Sequence, residues 1–275
     1  PPAFRFEREI GTVHDGFPLT GREYSTLEFQ RKFSALLREA VARAARVIAV
    51  SQYTADQLVS HAGVPREKIT VIHEGVDLPD IVLSPDEKLA ERVRVVGRGN
   101  AMVLSVGVLQ TRKNTMNALR AVACLPQHYR LVLVGGDGHG SEAIHDFIRT
   151  EQLESRVIRL GHVAVHRLPV LYQAATVLLF PSLEEGFGLP VLEAMASGLP
   201  VVASNTSSLP EVGGDAVLYV DPHDPHDIAE KVERAVEDAK MRETLIARGL
   251  ARAREFTWHR TAEQTCAVYD EVLAS

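Results

Sequence analysis

The chain has 275 residues, 45% of them hydrophobic, a formal net charge of −6 and two cysteines. That is enough apolar material for a full core, or for two, while the acidic balance excludes a broad nucleic-acid footprint and two cysteines exclude a disulfide framework. No apolar run approaches the roughly 18 residues of a spanning helix, and Pro1-Pro2-Ala3-Phe4-Arg5 has no signal-peptide pattern, so a soluble cytoplasmic protein is expected.

In chain order, residues 10–14 predict a strand, 26–45 a long helix, 47–50 a strand, 54–62 a helix and 69–72 a strand. Gly75-Val76-Asp77-Leu78-Pro79 breaks the pattern, and the charged, weakly periodic stretch 80–100 reads as a linker. A second series follows, with strands at 102–106, 131–134, 157–160, 177–180, 201–203 and 217–220. Helices are predicted between and after them at 115–125, 142–150, 166–174, 190–197 and 227–237, with a last one at 260–272. Strands alternating with helices predict parallel sheets of βαβ units. The second series makes a complete doubly wound domain; the first offers three strands.

The most informative stretch starts at Glu185. An apolar run ends at Pro181, Gly186 and Gly188 form a tight turn, and Pro190 fits the first position of a helix. Strand, glycine turn and helix start together aim unpaired N–H groups and the positive end of the helix dipole at an anion such as phosphate. Glu185 before the turn and Glu193 inside the helix add carboxylates suited to hydroxyls, so a nucleotide sugar fits the pattern. Glu193 lies in an otherwise apolar helix, where burial without a partner would be costly. Glu184 is expected to be solvated.

These residues resemble the E-x7-E signature of the retaining, GT-B-fold glycosyltransferases of group 1. The surrounding text resembles the same family: Pro181-Ser182, Gly198-Leu199-Pro200-Val201-Val202-Ala203, Ser207-Ser208-Leu209-Pro210-Glu211-Val212 and Ser105-Val106-Gly107-Val108-Leu109-Gln110-Thr111-Arg112-Lys113-Asn114. Thr12-Val13-His14-Asp15 is similar to the family's "HD" element. The resemblance runs from about residue 10 to the C-terminus, with the motifs in family order.

It implies an α/β fold of GT-B type: a partial N-terminal Rossmann-like domain (1–79), the linker (80–100), a complete C-terminal Rossmann-like domain (101–257) and a helix (258–275) crossing back. A half-built first sheet leads us to expect a homo-oligomer or a partner segment for that domain. By the same resemblance Glu185 contacts donor-sugar hydroxyls and Glu193 the ribose. Gly107, Gly135, Gly161, His162, Gly186, Phe187, Gly188 and Leu189 line the donor pocket. Lys113 serves the diphosphate; many relatives carry Arg directly after the glycine, where this chain has Val108, so either Arg112 supplies that charge or one contact is missing. His14 either bonds the donor sugar or is a strand-end histidine satisfied by backbone, and Asp15 caps the following loop.

The catalytic set is then His14, Lys113 and Glu185. The reaction implied is retaining and metal-independent, without a cofactor. A front-face mechanism is implied, in which the leaving phosphate helps to deprotonate the acceptor. GDP-mannose is the favoured donor and a UDP-sugar the alternative; the acceptor is a glycan, a lipid or a small molecule. The competing function is a nucleotide-sugar-binding subunit without transfer of its own; an epimerase or phosphorylase fits the motifs less well.

Three other features receive plainer readings. Gly135-Gly136-Asp137-Gly138-His139-Gly140 does not match G-x-G-x-x-G, and no ribose-binding acid follows the next strand. The tract Asp221-Pro222-His223-Asp224-Pro225-His226-Asp227 reads as a loop ending in a helix cap, Asp224 or Asp227, rather than a metal site. Helix 26–45 sets Arg31, Lys32, Arg38 and Arg43 against Glu28 and Glu39. That is a solvated face, with membrane contact at most peripheral.

Overall fold

The computed structural model describes residues 8–20 and 24–274. The first unit is a three-stranded parallel sheet in the order β1 (Ile10–Val13), β2 (Arg46–Ala49), β3 (Ile69–Val71). Two helices make the crossovers, α1 (Leu27–Arg43) and α2 (Gln52–Ala62). Thr26 and Ser51 start them, each accepting with its hydroxyl the N–H of the third residue on, as serine and threonine do at helix N-caps. Val13, Val41, Val47, Ala49, Leu58 and Val64 form the core of this unit.

Residues 80–100, expected to be a linker, instead contain α3 (Pro85–Val96). Ser84 and Glu87 close a reciprocal capping box, the Glu87 carboxylate taking the Ser84 N–H at 2.7 Å. The sequence concealed this helix because Val96 alone of its residues is buried, so it carries almost no apolar stripe. It is fastened through polar groups instead: Arg92 Nε donates to Ala174 O at 2.7 Å.

The second unit is a six-stranded parallel sheet. Its elements in chain order are β4 (Ala101–Val106), α4 (Thr115–Cys124), β5 (Tyr129–Val134), α5 (Ser141–Thr150), β6 (Val157–Gly161), α6 (Leu168–Ala174) and β7 (Val177–Phe180). There follow α7 (Leu189–Ala196), β8 (Val201–Ser204), α8 (Leu209–Gly213), β9 (Val217–Val220), α9 (Pro225–Glu237) and α10 (Ala239–Ala253). Alternate strand residues face opposite layers. Met102, Leu104, Leu178 and Phe180 pack with Leu171, Val191 and Leu192. Val103, Leu131, Val177 and Leu179 pack with Leu119, Ile144, Ile228 and Val232 on the other face. Burial on both faces explains why these strands read as continuous apolar runs.

Strand order β6-β5-β4-β7-β8-β9 reverses direction between β4 and β7. A crevice opens at the carboxyl ends of the strands at such a reversal, and ligands bind there in open α/β sheets. The last helix, α11 (Trp258–Ala274), returns to the first unit, where Val268 packs with Ile48 and Ile72 and Thr261 Oγ1 donates to His73 O at 2.8 Å. Among the described residues, no helix is long and apolar enough to cross a membrane.

Because α3 depends on its cap more than on burial, Ser84→Ala should destabilise the fold by about 1 kcal/mol in urea denaturation. An unchanged midpoint would show that the polar contacts to α6 hold α3 without its capping box.

Candidate functional site

The reversal between β4 and β7 brings two loops together. After β4 the chain makes one 3-10 turn, Thr111–Lys113, and reaches Asn114 in a left-handed conformation (φ 56°). Asn114 Nδ2 donates to Pro181 O at 2.9 Å and to Pro222 O at 2.7 Å, tying the ends of β7 and β9 to this loop. Arg112 and Lys113 are thereby set beside the turn that follows β7.

That turn, Glu185 to Gly188, is gripped from two sides. Ser207 Oγ accepts the Glu185 N–H at 3.1 Å, and Ser208 Oγ reaches Glu185 O at 2.9 Å and Phe187 O at 2.7 Å. From the first unit, Ser51 Oγ and Thr54 Oγ1 donate to Gly186 O at 2.6 and 3.0 Å. Position 186 must be glycine, because a Cβ there would lie 1.9 Å from His14 O. Gly188 (φ 113°) then starts α7, which has no side-chain cap; Pro190 has no N–H and Val191 N–H bonds Gly188 O, so the Gly188 and Leu189 N–H groups are those left for a ligand.

Glu185 is 6% exposed and doubly paired, with Lys113 Nζ at 2.6 Å and Arg112 Nη1 at 3.0 Å. Burial alone would push its carboxyl up; Lys113 and Arg112 together outweigh that and hold it below the usual carboxylate range. Arg112 is itself buried and also donates to Glu184 O at 2.6 Å, lies 3.3 Å from the Asp15 carboxylate and covers the Phe17 ring. Asp15 accepts the Phe17 N–H, the loop-capping bond expected, and burial raises its carboxyl against the pull of Arg112. Lys113 is the more accessible of the two cations, its side chain 17% exposed against 9% for Arg112.

His14 stands exposed at the end of β1, its Nδ1 2.9 Å from Glu74 Oε1. The ionised carboxylate can only accept, so Nδ1 carries the proton and Nε2 is the nitrogen left over. The backbone does not satisfy this ring; Glu74 does.

Glu193 lies apart from this cluster. Tyr172 Oη donates to Glu193 Oε2 at 2.8 Å. Burial raises both groups, Glu193 despite that hydrogen bond and Tyr172 well above its ordinary value, so the phenol remains the donor. Both border a cavity of 590 Å³ that runs along α7 from Leu189 to Ser197 and is closed by His166, Leu168, Trp258 and the segment 75–80. At the strand ends Gly107, Gly135 and Gly161 stand side by side, with Gly107 N–H on Val134 O and Gly135 N–H on Gly161 O, each at 2.8 Å. A Cβ on Gly135 would lie 2.0 Å from Gly107 O, which fixes glycine there. His162 is exposed just beyond β6, and Phe187 is buried under the turn.

One expectation fails outright. Glu184 is not solvated but fully buried; its backbone oxygen accepts the buried Arg112 guanidinium, which draws this part of the loop inward. Sequence reasoning also passed over Ser51, Thr54, Ser207 and Ser208 as clamps of the turn. Ser51 was discoverable as an N-cap, but its reach to Gly186 spans 135 positions and leaves no local trace. In the loop 221–227, Asp224 caps α9 by accepting the His226 N–H, and Asp227 accepts the Asp221 N–H. Among the described residues, no group of three or more His, Cys, Asp or Glu could hold a metal ion.

Comparison with known proteins gives the family and the fold. Residues 88–252 match the family Glycosyl transferases group 1, and residues 8–79 match Glycosyltransferase Family 4. O-antigen chain mannosyltransferase B of Escherichia coli is 34% identical over 271 residues, covering 96% of this chain and 71% of that protein. The serotype-specific mannosyltransferase WbdA of Escherichia coli is 30% identical over 280 residues; the match takes in 98% of this chain but 34% of WbdA. A crystal structure of Anabaena HepE in complex with UDP-glucose superposes with a TM-score of 0.84 at 25% identity, covering 96% of this chain and 72% of that one.

Removing the Glu185 charge strands two cations, so Glu185→Gln should cost about 3 kcal/mol near neutral pH. The carboxyl is depressed in the fold, so its contribution is complete above the ordinary value of about 4.3 and is lost as pH falls through the folded value. Denaturation of both proteins should show a constant difference from about pH 8 to about pH 5 that shrinks in stronger acid. A difference independent of pH down to acid unfolding would contradict the pairing.

Proposed function

Because the chain belongs to the group 1 glycosyl transferases, we propose that it moves a hexose, mannose in the first instance, from a nucleoside diphosphate to an acceptor hydroxyl with retention of configuration. The observation that carries this reading is the pair of carboxylates on either side of the α7 start: Glu185 in a cationic cluster, Glu193 in a cavity. The diphosphate lies on the uncapped N-terminus of α7, where N–H groups and the helix dipole favour it. Lys113, the more accessible cation, meets it and steadies the charge of the departing phosphate. Arg112, more deeply buried and with Nη1 shared among Glu184 O, Glu185 and Asp15, serves as framework. Greater exposure favours Lys113 over Arg112 as the source of charge.

The ribose hydroxyls meet Glu193, held in place by Tyr172, and the base enters the apolar part of the cavity between Leu168 and Trp258. The donor sugar then lies between Glu185 and His14. Glu185 is already bound by two cations and is a poor nucleophile, which supports front-face transfer with the leaving phosphate taking the acceptor proton. No metal is needed, since Lys113 and the helix start supply the compensating charge.

Mannose and GDP are favoured because relatives named mannosyltransferases match nearly the whole chain; HepE, solved with UDP-glucose, keeps UDP-sugars as the second donor class. An O-antigen-like glycan is the acceptor class in view.

Calorimetric titration of GDP-mannose, UDP-glucose, GDP and guanosine tests the reading. GDP-mannose should bind best, with no effect of EDTA. Lys113→Ala should weaken GDP by about 2 kcal/mol, the scale of a charge-assisted hydrogen bond, and leave guanosine unchanged. Preference for UDP-glucose would replace the donor, and collapse of affinity in EDTA would remove the metal-independent mechanism.

A further inference from the structure

The turn that carries Glu185 is also held by the first unit, and that hold passes through Glu211. α2 begins at Gln52, whose N–H lies 2.8 and 3.0 Å from the two Glu211 carboxylate oxygens. The Tyr53 N–H reaches the same carboxylate at 3.4 Å, and His73 Nε2 is 2.7 Å from Glu211 Oε1. Glu211 belongs to α8 of the second unit, so it caps a helix of the first. It takes the two N–H groups that the Ser51 hydroxyl, occupied with Thr54 N–H, leaves over.

The backbone that carries Glu211 is held as well, since Arg252 Nη2 donates to the Glu211 main-chain oxygen at 2.7 Å. The His73 ring packs between Phe187, inside the donor turn, and Phe256, with centroids at 5.9 and 5.5 Å. Burial would raise Glu211, yet His73 and the Gln52 and Tyr53 amides together hold its carboxyl below the usual range, as an ionised cap requires.

We propose that Glu211 is a positioning residue that captures the N-terminus of α2, seats Ser51 and Thr54 on Gly186 and so couples the approach of the two units to the shape of the donor turn. The consequence for ligands rests on the donor reading above; the coupling itself rests on these contacts alone. A donor sugar between Glu185 and His14 touches both units and depends on the coupling. A bare nucleoside diphosphate touches the second unit alone and depends on the coupling less, through the shape of the turn.

Three variants separate the possibilities. Glu211→Gln keeps the shape and loses the charge. Gln52→Pro deletes one captured N–H at the first helical position, where proline is compatible with a helix. Ser51 before it is already extended (φ −151°, ψ 163°), as a residue preceding proline must be. Gln52→Ala removes the same side chain and keeps the N–H.

The readouts are hydrogen exchange at the Tyr53 amide and affinity for GDP-mannose and for GDP. Glu211→Gln and Gln52→Pro should speed that exchange and weaken GDP-mannose, each about tenfold, with a clearly smaller loss for GDP. Gln52→Ala should behave as wild type. Unaltered exchange in both variants overturns the proposal, as does a parallel loss of GDP and GDP-mannose, which would mean general damage. If the wild type binds neither ligand, the donor reading fails, and the exchange comparison still decides the coupling.

Discussion

The architecture of the site depends on where the oxygens of one turn are sent. Glu185 O and Phe187 O both accept the Ser208 hydroxyl, and Gly186 O takes those of Ser51 and Thr54. With its carbonyls committed inward, the turn and the first residues of α7 have N–H groups to offer outward. A loop left to itself would satisfy its donors and acceptors with water indifferently. Here four backbone–hydroxyl bonds decide which polarity faces the crevice, and the outward polarity suits an anion.

The charges beside the turn follow the same logic. Asp15, Arg112, Lys113 and Glu185 are two acids and two bases within one network, nearly removed from water. Such a network is costly to desolvate and costly to break, so its members have little freedom. Arg112 is the least free, with a guanidinium engaged by Glu184, Glu185, Asp15 and the Phe17 ring. Lys113 makes one ion pair, has three donors on a flexible stem, and can keep Glu185 while meeting a phosphate. Exposure, not proximity, thus distinguishes the structural cation from the one available to a ligand.

Much of the second unit was legible in the sequence because its strands are buried on both faces. Met102–Val106 or Val177–Phe180 can hardly be read otherwise than as interior strands, and Pro181, Gly186, Gly188 and Pro190 announce a turn and a helix start through backbone chemistry alone. The pairing of Lys113 with Glu185, and the burial of Glu184, were not legible: they join positions about 70 apart through a topology that crosses the sheet. α3 and α10 escaped for a local reason. Both carry many charges and few buried residues, Leu245, Gly249 and Ala253 being those of α10, so their periodicity is faint although their caps, Ser84 and Asp238, are ordinary ones. Interunit contacts such as Glu211 with the α2 amides leave no local pattern at all, since they depend on how two separately folded sheets meet.

The central claim is that the N-terminus of α7, with Lys113 on one side and Glu193 on the other, holds a nucleoside diphosphate. A crystal structure of the chain with GDP tests it most directly. The account predicts the β-phosphate on the Gly188 and Leu189 N–H groups and Lys113 Nζ, with the ribose hydroxyls on Glu193. A diphosphate seated instead on the glycine loop of residues 135–140, with Glu193 still bonded only to Tyr172, would contradict it.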